Sequence, residues 1–297
     1  MPEVLSPLRY PGGKSILLPI FQRILANNNY SNFIETHCGG AGLSLALIAN
    51  KAVDKVIICD KDPLVAAFWK EVLSDRVDRL IEKINKTPIN MKSYIFQKQI
   101  YQDYLKGKKI SQIDKAFCFL FRNRTNRGGL IKAGPIGGLN QEKSEVEVKY
   151  PVDVRFKKKV LIKRILRINY YKKKKIIRFA DVDSLIMIDR YKATRGTLFY
   201  IDPPYYKVGK DLYDLYYDNN DHKELHAKLK ELQSKISFVL SYDCSEEIKK
   251  LYKLFKYVLI SKNSHVANAK RQKEFLFHSH DIEIPIIQSK VPVIERP

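Results

Sequence analysis

The segment from Asn32 to Asp60 constrains the fold more than any other. Asn32-Phe33-Ile34-Glu35 is a short apolar run, Leu43 to Asn50 is apolar at helical spacing, and Lys55-Val56-Ile57-Ile58-Cys59 is a second short run that stops at Asp60. Short apolar runs without polar alternation read as strands covered on both faces. Strand, loop, helix, strand is βαβ grammar, which implies parallel strands joined by a right-handed crossover. Ser15 to Leu25 predicts a helix before this unit. Strand grammar returns at Ile176-Ile177-Arg178-Phe179, which ends at Ala180-Asp181, and at Leu198-Phe199-Tyr200-Ile201, which ends at Asp202. The pattern then predicts a helix from Asp221 to Leu232, a strand from Ile236 to Leu240 and a helix from Glu246 to Phe255. Lys256 to Ile260 and Glu274 to His278 complete it as a closing strand pair.

Residues 63–175 read differently. Leu64 to Ile84 predicts one long amphipathic helix, and aromatic, basic segments of helical character run to about Phe121. Arg122-Asn123-Arg124-Thr125-Asn126-Arg127-Gly128-Gly129, followed by Ala133-Gly134-Pro135-Ile136-Gly137-Gly138, reads as a loop or hairpin. Lysine runs follow at 157–159 and 172–175; either could be a solvated helix face. The expectation is one α/β sheet domain of residues 1–62 and 176–297, interrupted by a mainly helical, basic insertion at 63–175.

The 297 residues carry 54 Lys and Arg against 32 Asp and Glu, a formal charge of +22, with 18 Tyr and 14 Phe interleaved among them. That balance favours a polyanionic partner, and aromatics among cations suit base stacking beside phosphate contact. The four cysteines are scattered with no CxxC pair, so neither a zinc knuckle nor a disulfide framework is indicated, and buried thiols are expected. Met1-Pro2-Glu3-Val4-Leu5 lacks a signal-peptide pattern, and no apolar run approaches the ~20 residues of a membrane span. A cytoplasmic protein without a membrane partner is the expectation.

Asp202-Pro203-Pro204-Tyr205 closes a predicted strand with an acid, two prolines and an aromatic ring. Prolines donate no backbone N–H, so the corner is rich in acceptors, and ligands of open α/β sheets bind off the carboxyl ends of strands. Such a corner suits holding a planar base by its exocyclic amine while stacking on it. The same four residues can also make a plain turn. The loop Glu35-Thr36-His37-Cys38-Gly39-Gly40-Ala41-Gly42, with Asp60 at the end of the next strand, fits an adenosine-containing cofactor in general, although GxGxxG is not met. Tyr10 to Ser15 fails as a P-loop, because Leu8 stands where its first glycine belongs. His222 and His226 lack the adjacent Glu of a zincin, so a wet helix face is expected there and no metal site. No cysteine follows a proline, which excludes the nucleophile expected of cytosine-C5 methylation.

Taken in order, these segments resemble the Dam-like, D12 class of adenine-N6 DNA methyltransferases. Leu8-Arg9-Tyr10-Pro11-Gly12-Gly13-Lys14 matches that family's N-terminal cofactor motif, Glu35 to Gly42 its glycine loop, Asp60 its second acidic motif, and Asp202 to Tyr205 its DPPY. Asp221-His222, Val239 to Asp243 and Lys270 to Leu276 match later segments, and Asn123-Arg124 through Gly138 resembles the target-recognition hairpin. This chain has Thr36-His37 where the family usually has Pro-Phe, and Tyr10 where it often has Trp.

The resemblance implies a Rossmann-like sheet with an inserted target-recognition domain, S-adenosylmethionine as cofactor and double-stranded DNA as partner. It places Tyr10, Lys14, Glu35, Gly39, Asp60, Asp181 and Asp202 at the cofactor, with Asp202, Pro203, Pro204 and Tyr205 as the catalytic corner. Arg122, Arg124, Asn126 and Arg127 are candidates for DNA contact. A cognate restriction endonuclease is a further partner of such systems, with no residue of this chain pointing to one. The alternatives are cytosine-N4 or RNA-adenine methylation, or an inactive DNA-binding homologue. Asp202, rather than Ser or Asn, favours adenine in DNA.

Overall fold

The computed structural model describes residues 5–10, 12–139, 150–206, 217–262, 272–285 and 294–295; Pro11 and the Lys270-Arg271 part of the late motif lie outside them. The strands are β1 Asn32–Glu35, β2 Lys55–Cys59, β3 Ile177–Ala180, β4 Thr197–Ile201, β5 Ser237–Asp243, β6 Lys256–Lys262, β7 Gln272–His278 and β8 Ile294–Glu295. They form a sheet in the order β3-β2-β1-β4-β5-β7-β6-β8. From β3 to β5 every pairing is parallel, and β7 enters antiparallel between β5 and β6. The chain winds outward from β1 in both directions, so β1 and β4 flank the point where strand order reverses. Ligands of doubly wound sheets bind outside the carboxyl ends there.

Ten helices among the described residues cover the sheet: α1 Leu18–Asn27, α2 Gly42–Ala49, α3 Pro63–Val72, α4 Asp78–Lys86, α5 Met91–Leu105, α6 Gln112–Thr125, α7 Lys158–Lys173, α8 Ser184–Tyr191, α9 Asn219–Leu232 and α10 Glu246–Leu251. Two apolar cores result from the period-2 alternation of the strands. Phe33, Val56, Ile58, Leu198 and Tyr200 face α1, α2 and the helices between β2 and β3. Ile34, Ile57, Cys59, Phe199 and Ile201 face α8, α9 and α10. Apart from their ends, β1, β2, β4 and β5 are buried on both sides, which is why their sequences are apolar without alternating. The first core runs without a break from the sheet into α3–α7, through Trp69, Phe117 and Ile165. No helix among the described residues is long and apolar enough to cross a membrane.

The structure departs from the sequence reading in the insertion. Leu64 to Ile84 is two helices, because the chain turns between Val72 and Asp78. Asn169 of α7 takes the carbonyls of Val72 and Ser74 at 2.9 and 2.8 Å, ending α3. Arg122 to Thr125 belong to α6 rather than to a loop. The turn that follows is closed by a bridge between Asn126 and Pro135. Cys38, Cys59 and Cys118 are buried, whereas Cys244 is exposed. His222 is no wet residue: it is buried, with Nδ1 2.7 Å from the Tyr242 hydroxyl.

Candidate active site

Each of the five parallel strands delivers an acid to the carboxyl edge: Glu35 on β1, Asp60 after β2, Asp181 after β3, Asp202 after β4 and Asp243 on β5. At the crevice between β1 and β4, Lys14 reaches in from the N-terminal segment and donates to both carboxylate oxygens of Asp202 at 2.5 Å. Lys14 is 5 % exposed and Asp202 20 %, so the pair is largely shielded from water. Ser241 of β5 donates to Asp202 Oδ1 at 2.5 Å and lies 2.9 Å from the Tyr200 hydroxyl. Burial opposes the charge on Lys14, but Asp202, Tyr200 and Glu274 overcome it and hold the amine well above its ordinary range. Asp202 is therefore held in place between one cation and one hydroxyl.

Tyr205 stands over the same pair. Its hydroxyl accepts from Lys14 at 3.1 Å and donates to Glu274 of β7, and Lys14 Nζ lies 5.2 Å from the ring centroid. Hydroxyl and ring are tied at both ends, so the ring plane is set. Among the described residues, nothing donates to the carbonyls of Pro203 and Pro204. They remain acceptors beside the Asp202 carboxylate, as the absence of proline N–H groups allows.

The glycine loop is built from its neighbours. Asp60 accepts from Gly39 N at 2.8 Å and from Asp62 N at 3.0 Å, and Trp69 of α3 donates to the Gly39 carbonyl at 2.8 Å. Gly39 has φ +43°, and a Cβ there would sit 2.5 Å from the Tyr10 ring, so a side chain would be strained and would force the ring to shift. Burial raises Asp60 to about 7, with Asp62 adding to the effect. Glu35 lies behind the loop, 3 % exposed, accepting from Ser44 Oγ at 2.5 Å; burial pushes it up to about 8. His37, the departure from Pro-Phe, has Nδ1 2.9 Å from Thr36 Oγ1 and Nε2 2.7 Å from the Tyr217 hydroxyl, and that hydroxyl is 3.1 Å from Ser184 Oγ. Burial holds the imidazole down at about 3, hence neutral. Thr36-His37 is thus a satisfied polar link from β1 to α8 and to the start of α9. Next to it a cleft of about 410 Å³ is lined by Tyr206, Tyr217, Asp218, Asn219, Asn220 and His222.

The family described as D12 class N6 adenine-specific DNA methyltransferase matches residues 10–266. The chain belongs to that family. It is an adenine-specific DNA methyltransferase, an enzyme that acts on DNA and draws on a methyl donor. Among solved structures it is similar to the rRNA methyltransferase aviRa from Streptomyces viridochromogenes, at 15% identity and a TM-score of 0.33, over 91% of this chain and 86% of that one. A comparison with curated proteins finds no match.

Within this methyltransferase the structure brings Lys14, Asp202 and Tyr205 into one contact network and joins Tyr10, Gly39 and Asp60 in another. Asp181 stands apart, half exposed on the outer side of the sheet and paired with Lys70. The residues expected at DNA divide. Arg122 is buried, donates to the Ile131 carbonyl at 2.6 Å and lies 4.7 Å from the Tyr101 ring. Asn126 is buried and donates to the carbonyls of Leu130 and Ile131 at 2.8 and 3.0 Å. Both shape the 127–131 turn from within instead of facing outward, while Arg127 is exposed at its start. Sequence reasoning gave no role to Ser241 or Glu274. Each is a polar side chain set in an apolar strand, Phe238 to Tyr242 and Glu274 to Phe277, and that mismatch was the available signal. The sequence pattern puts Asn123 in a hairpin. It instead clamps the N-terminal motif, accepting from Arg9 N and donating to Arg9 O, both at 2.8 Å.

Proposed function

We propose that this methyltransferase transfers the methyl group of S-adenosylmethionine to N6 of an adenine flipped out of a specific double-stranded DNA sequence. The observation that carries the reading is the Asp202 carboxylate, held between Lys14 and Ser241 at the strand-order switch point, beside two proline carbonyls and under a tethered tyrosine. Reaching N6 requires taking the base out of the duplex, at a cost of about a few kcal/mol. Tyr205 stacks on the extruded ring. Asp202 and the Pro203 carbonyl accept hydrogen bonds from N6, which localises its lone pair at the nitrogen instead of in the ring. Pro204 keeps the corner rigid. Positioning and fixed charge supply the rate, with no covalent enzyme intermediate.

The donor set fits a cationic, adenosine-bearing methyl donor. Acids line the carboxyl edge, and at Gly39 the backbone is bare where a Cβ would meet Tyr10. Tyr10, Lys14, Glu35, Gly39, Asp60 and Asp202 are its proposed holders, with Asp181 at the rim. When bound, S-adenosylmethionine supplies an electrophilic methyl on a sulfonium. The helices between β2 and β3, residues 63–175, are the proposed target-recognition insertion, with Arg127 facing DNA. The hydrogen-bonded Thr36-His37 link supports an active enzyme over a degenerate homologue.

A labelled-methyl assay on adenine-containing duplexes tests this reading. Asp202→Ala is expected to abolish transfer while duplex binding survives at low salt. Near-normal turnover in that variant would sink the assignment, as would label found on cytosine.

A further inference from the structure

Four arginines from distant parts of the chain converge where the N-terminal segment crosses the insertion. Arg9 is bound there through its backbone by Asn123, and its Nη1 lies 3.4 Å from the Asn126 carbonyl. Gly129 presses on the same point, since a Cβ there would come within 2.3 Å of the Arg9 carbonyl. Arg164 of α7 donates to the Ser6 carbonyl at 3.1 Å, which brings α7 to this segment. Arg124 lies in the last turn of α6, one residue beyond Asn123, and Arg155 is exposed in the turn before α7.

Arg124 is the anomaly. It is 9 % exposed, and its Nε is buried without a hydrogen-bond partner among the described residues. Burial pushes its guanidinium down to about 10, and the groups acting further on it, Arg164, Arg9 and Arg155, are all cations. A buried, unpaired charge is strongly unfavourable unless something else compensates it. The edge of a base offers one guanidinium a pair of acceptors. Several guanidiniums in one place call for a formal anion, and the planar fork of arginine matches phosphate oxygens.

We propose that Arg9, Arg124, Arg155 and Arg164 form a phosphate site that takes a backbone phosphate of the DNA substrate. The inference rests on the proposed action at duplex DNA. Arg9 directly precedes Tyr10 and the segment leading to Lys14, so a phosphate bound here registers the DNA strand against the catalytic corner. Phosphate contacts of this kind set position rather than sequence.

The test uses the full chain and a fluorescent adenine-containing duplex, with affinity measured between 50 and 200 mM salt. Arg124→Gln and Arg155→Gln are each expected to lower the slope of log K against log salt by roughly 0.9, the value for one phosphate neutralised on B-DNA. Lys250→Gln, an exposed lysine on α10, is expected to leave the slope unchanged. Arg124→Gln is also expected to raise the thermal midpoint of the DNA-free protein, because it removes an unpaired buried charge; a residue serving structure alone would lower it. Unchanged slopes in both arginine variants, while the unaltered protein binds and methylates the duplex, would overturn the site and leave the proposed function standing. An equal loss of slope in Lys250→Gln would overturn it too, by showing diffuse attraction. Failure of the unaltered protein to bind duplex at low salt would overturn both.

Discussion

At the scale of single residues, the corner proposed as catalytic holds its side chains with little freedom. Asp202 is held by Lys14 and Ser241, and Tyr205 by Lys14 and Glu274. Tyr205→Phe keeps the ring and removes the hydroxyl that both partners use. The expected result is a drop in the single-turnover methylation rate of about tenfold with duplex affinity little changed, since stacking survives and only its orientation loosens. Tyr205→Ala removes the platform as well, and base stacking of this type is worth about 1–3 kcal/mol. Equal rates for the Phe variant and the unaltered enzyme would show that the hydroxyl plays no positioning role. Glu35 makes a different prediction. Its carboxyl is raised by burial from an ordinary 4.5 to about 8. Between those values the folded chain keeps a proton that the unfolded chain has released, so the unfolded state binds fewer protons and stability falls as pH rises. The contribution is full below pH 4.5 and is lost as pH passes through 8. Glu35→Gln is expected to lose less of its thermal midpoint than the unaltered chain between pH 5 and 8. Parallel curves would contradict a protonated Glu35.

At the scale of elements, the junction between α6 and the N-terminal segment joins the insertion to the site. Gly129 at φ +79° faces the Arg9 carbonyl, and Asn123 grips both backbone groups of Arg9. Gly129→Ala adds left-handed strain and a Cβ against a backbone atom that cannot swing aside. The expected destabilisation is about 2 kcal/mol or more by denaturant titration, in line with strain and overpacking effects. Gly39→Ala meets the Tyr10 ring, which can rotate away, so its larger effect should fall on activity. Identical effects of the two on stability would contradict that division. The same junction marks where the sequence stopped being legible. β1 and β2 were predicted at their observed bounds, because an apolar run between a turn and an acid carries its own ends. The break between α3 and α4 depends on Asn169, which caps α3 from the far end of the insertion. The burial of Arg122, Arg124 and Asn126 depends on Ile131, Tyr101 and α7. Arginines next to glycines look like a solvent-facing loop until their tertiary partners are known.

At the scale of the whole molecule, one sheet gathers acids at its carboxyl edge while the chain carries a formal charge of +22. The acids Glu35, Asp60 and Asp202 were readable as strand endings, and the roles proposed for them rest on the order of the segments. Ser241 and Glu274 were not, because the parallel pairing of β5 with β4 brings Ser241 to Asp202 and the antiparallel pairing of β7 with β5 brings in Glu274, and no local pattern encodes either. The insertion is joined to the sheet in the same non-local way, since a single apolar core runs from Phe33 and Val56 through Trp69 to Phe117 and Ile165. Trp69 is the chain's one tryptophan, fully buried on α3, and its indole donates to the Gly39 carbonyl at 2.8 Å. It therefore reports on the glycine loop and on the insertion together. If the shared core makes them one cooperative unit, thermal unfolding followed by Trp69 fluorescence and by far-ultraviolet circular dichroism should give coincident transitions. An insertion that melts first would separate the two curves, with helical signal lost before the tryptophan environment changes, and would show that α4–α7 are stabilised apart from the sheet.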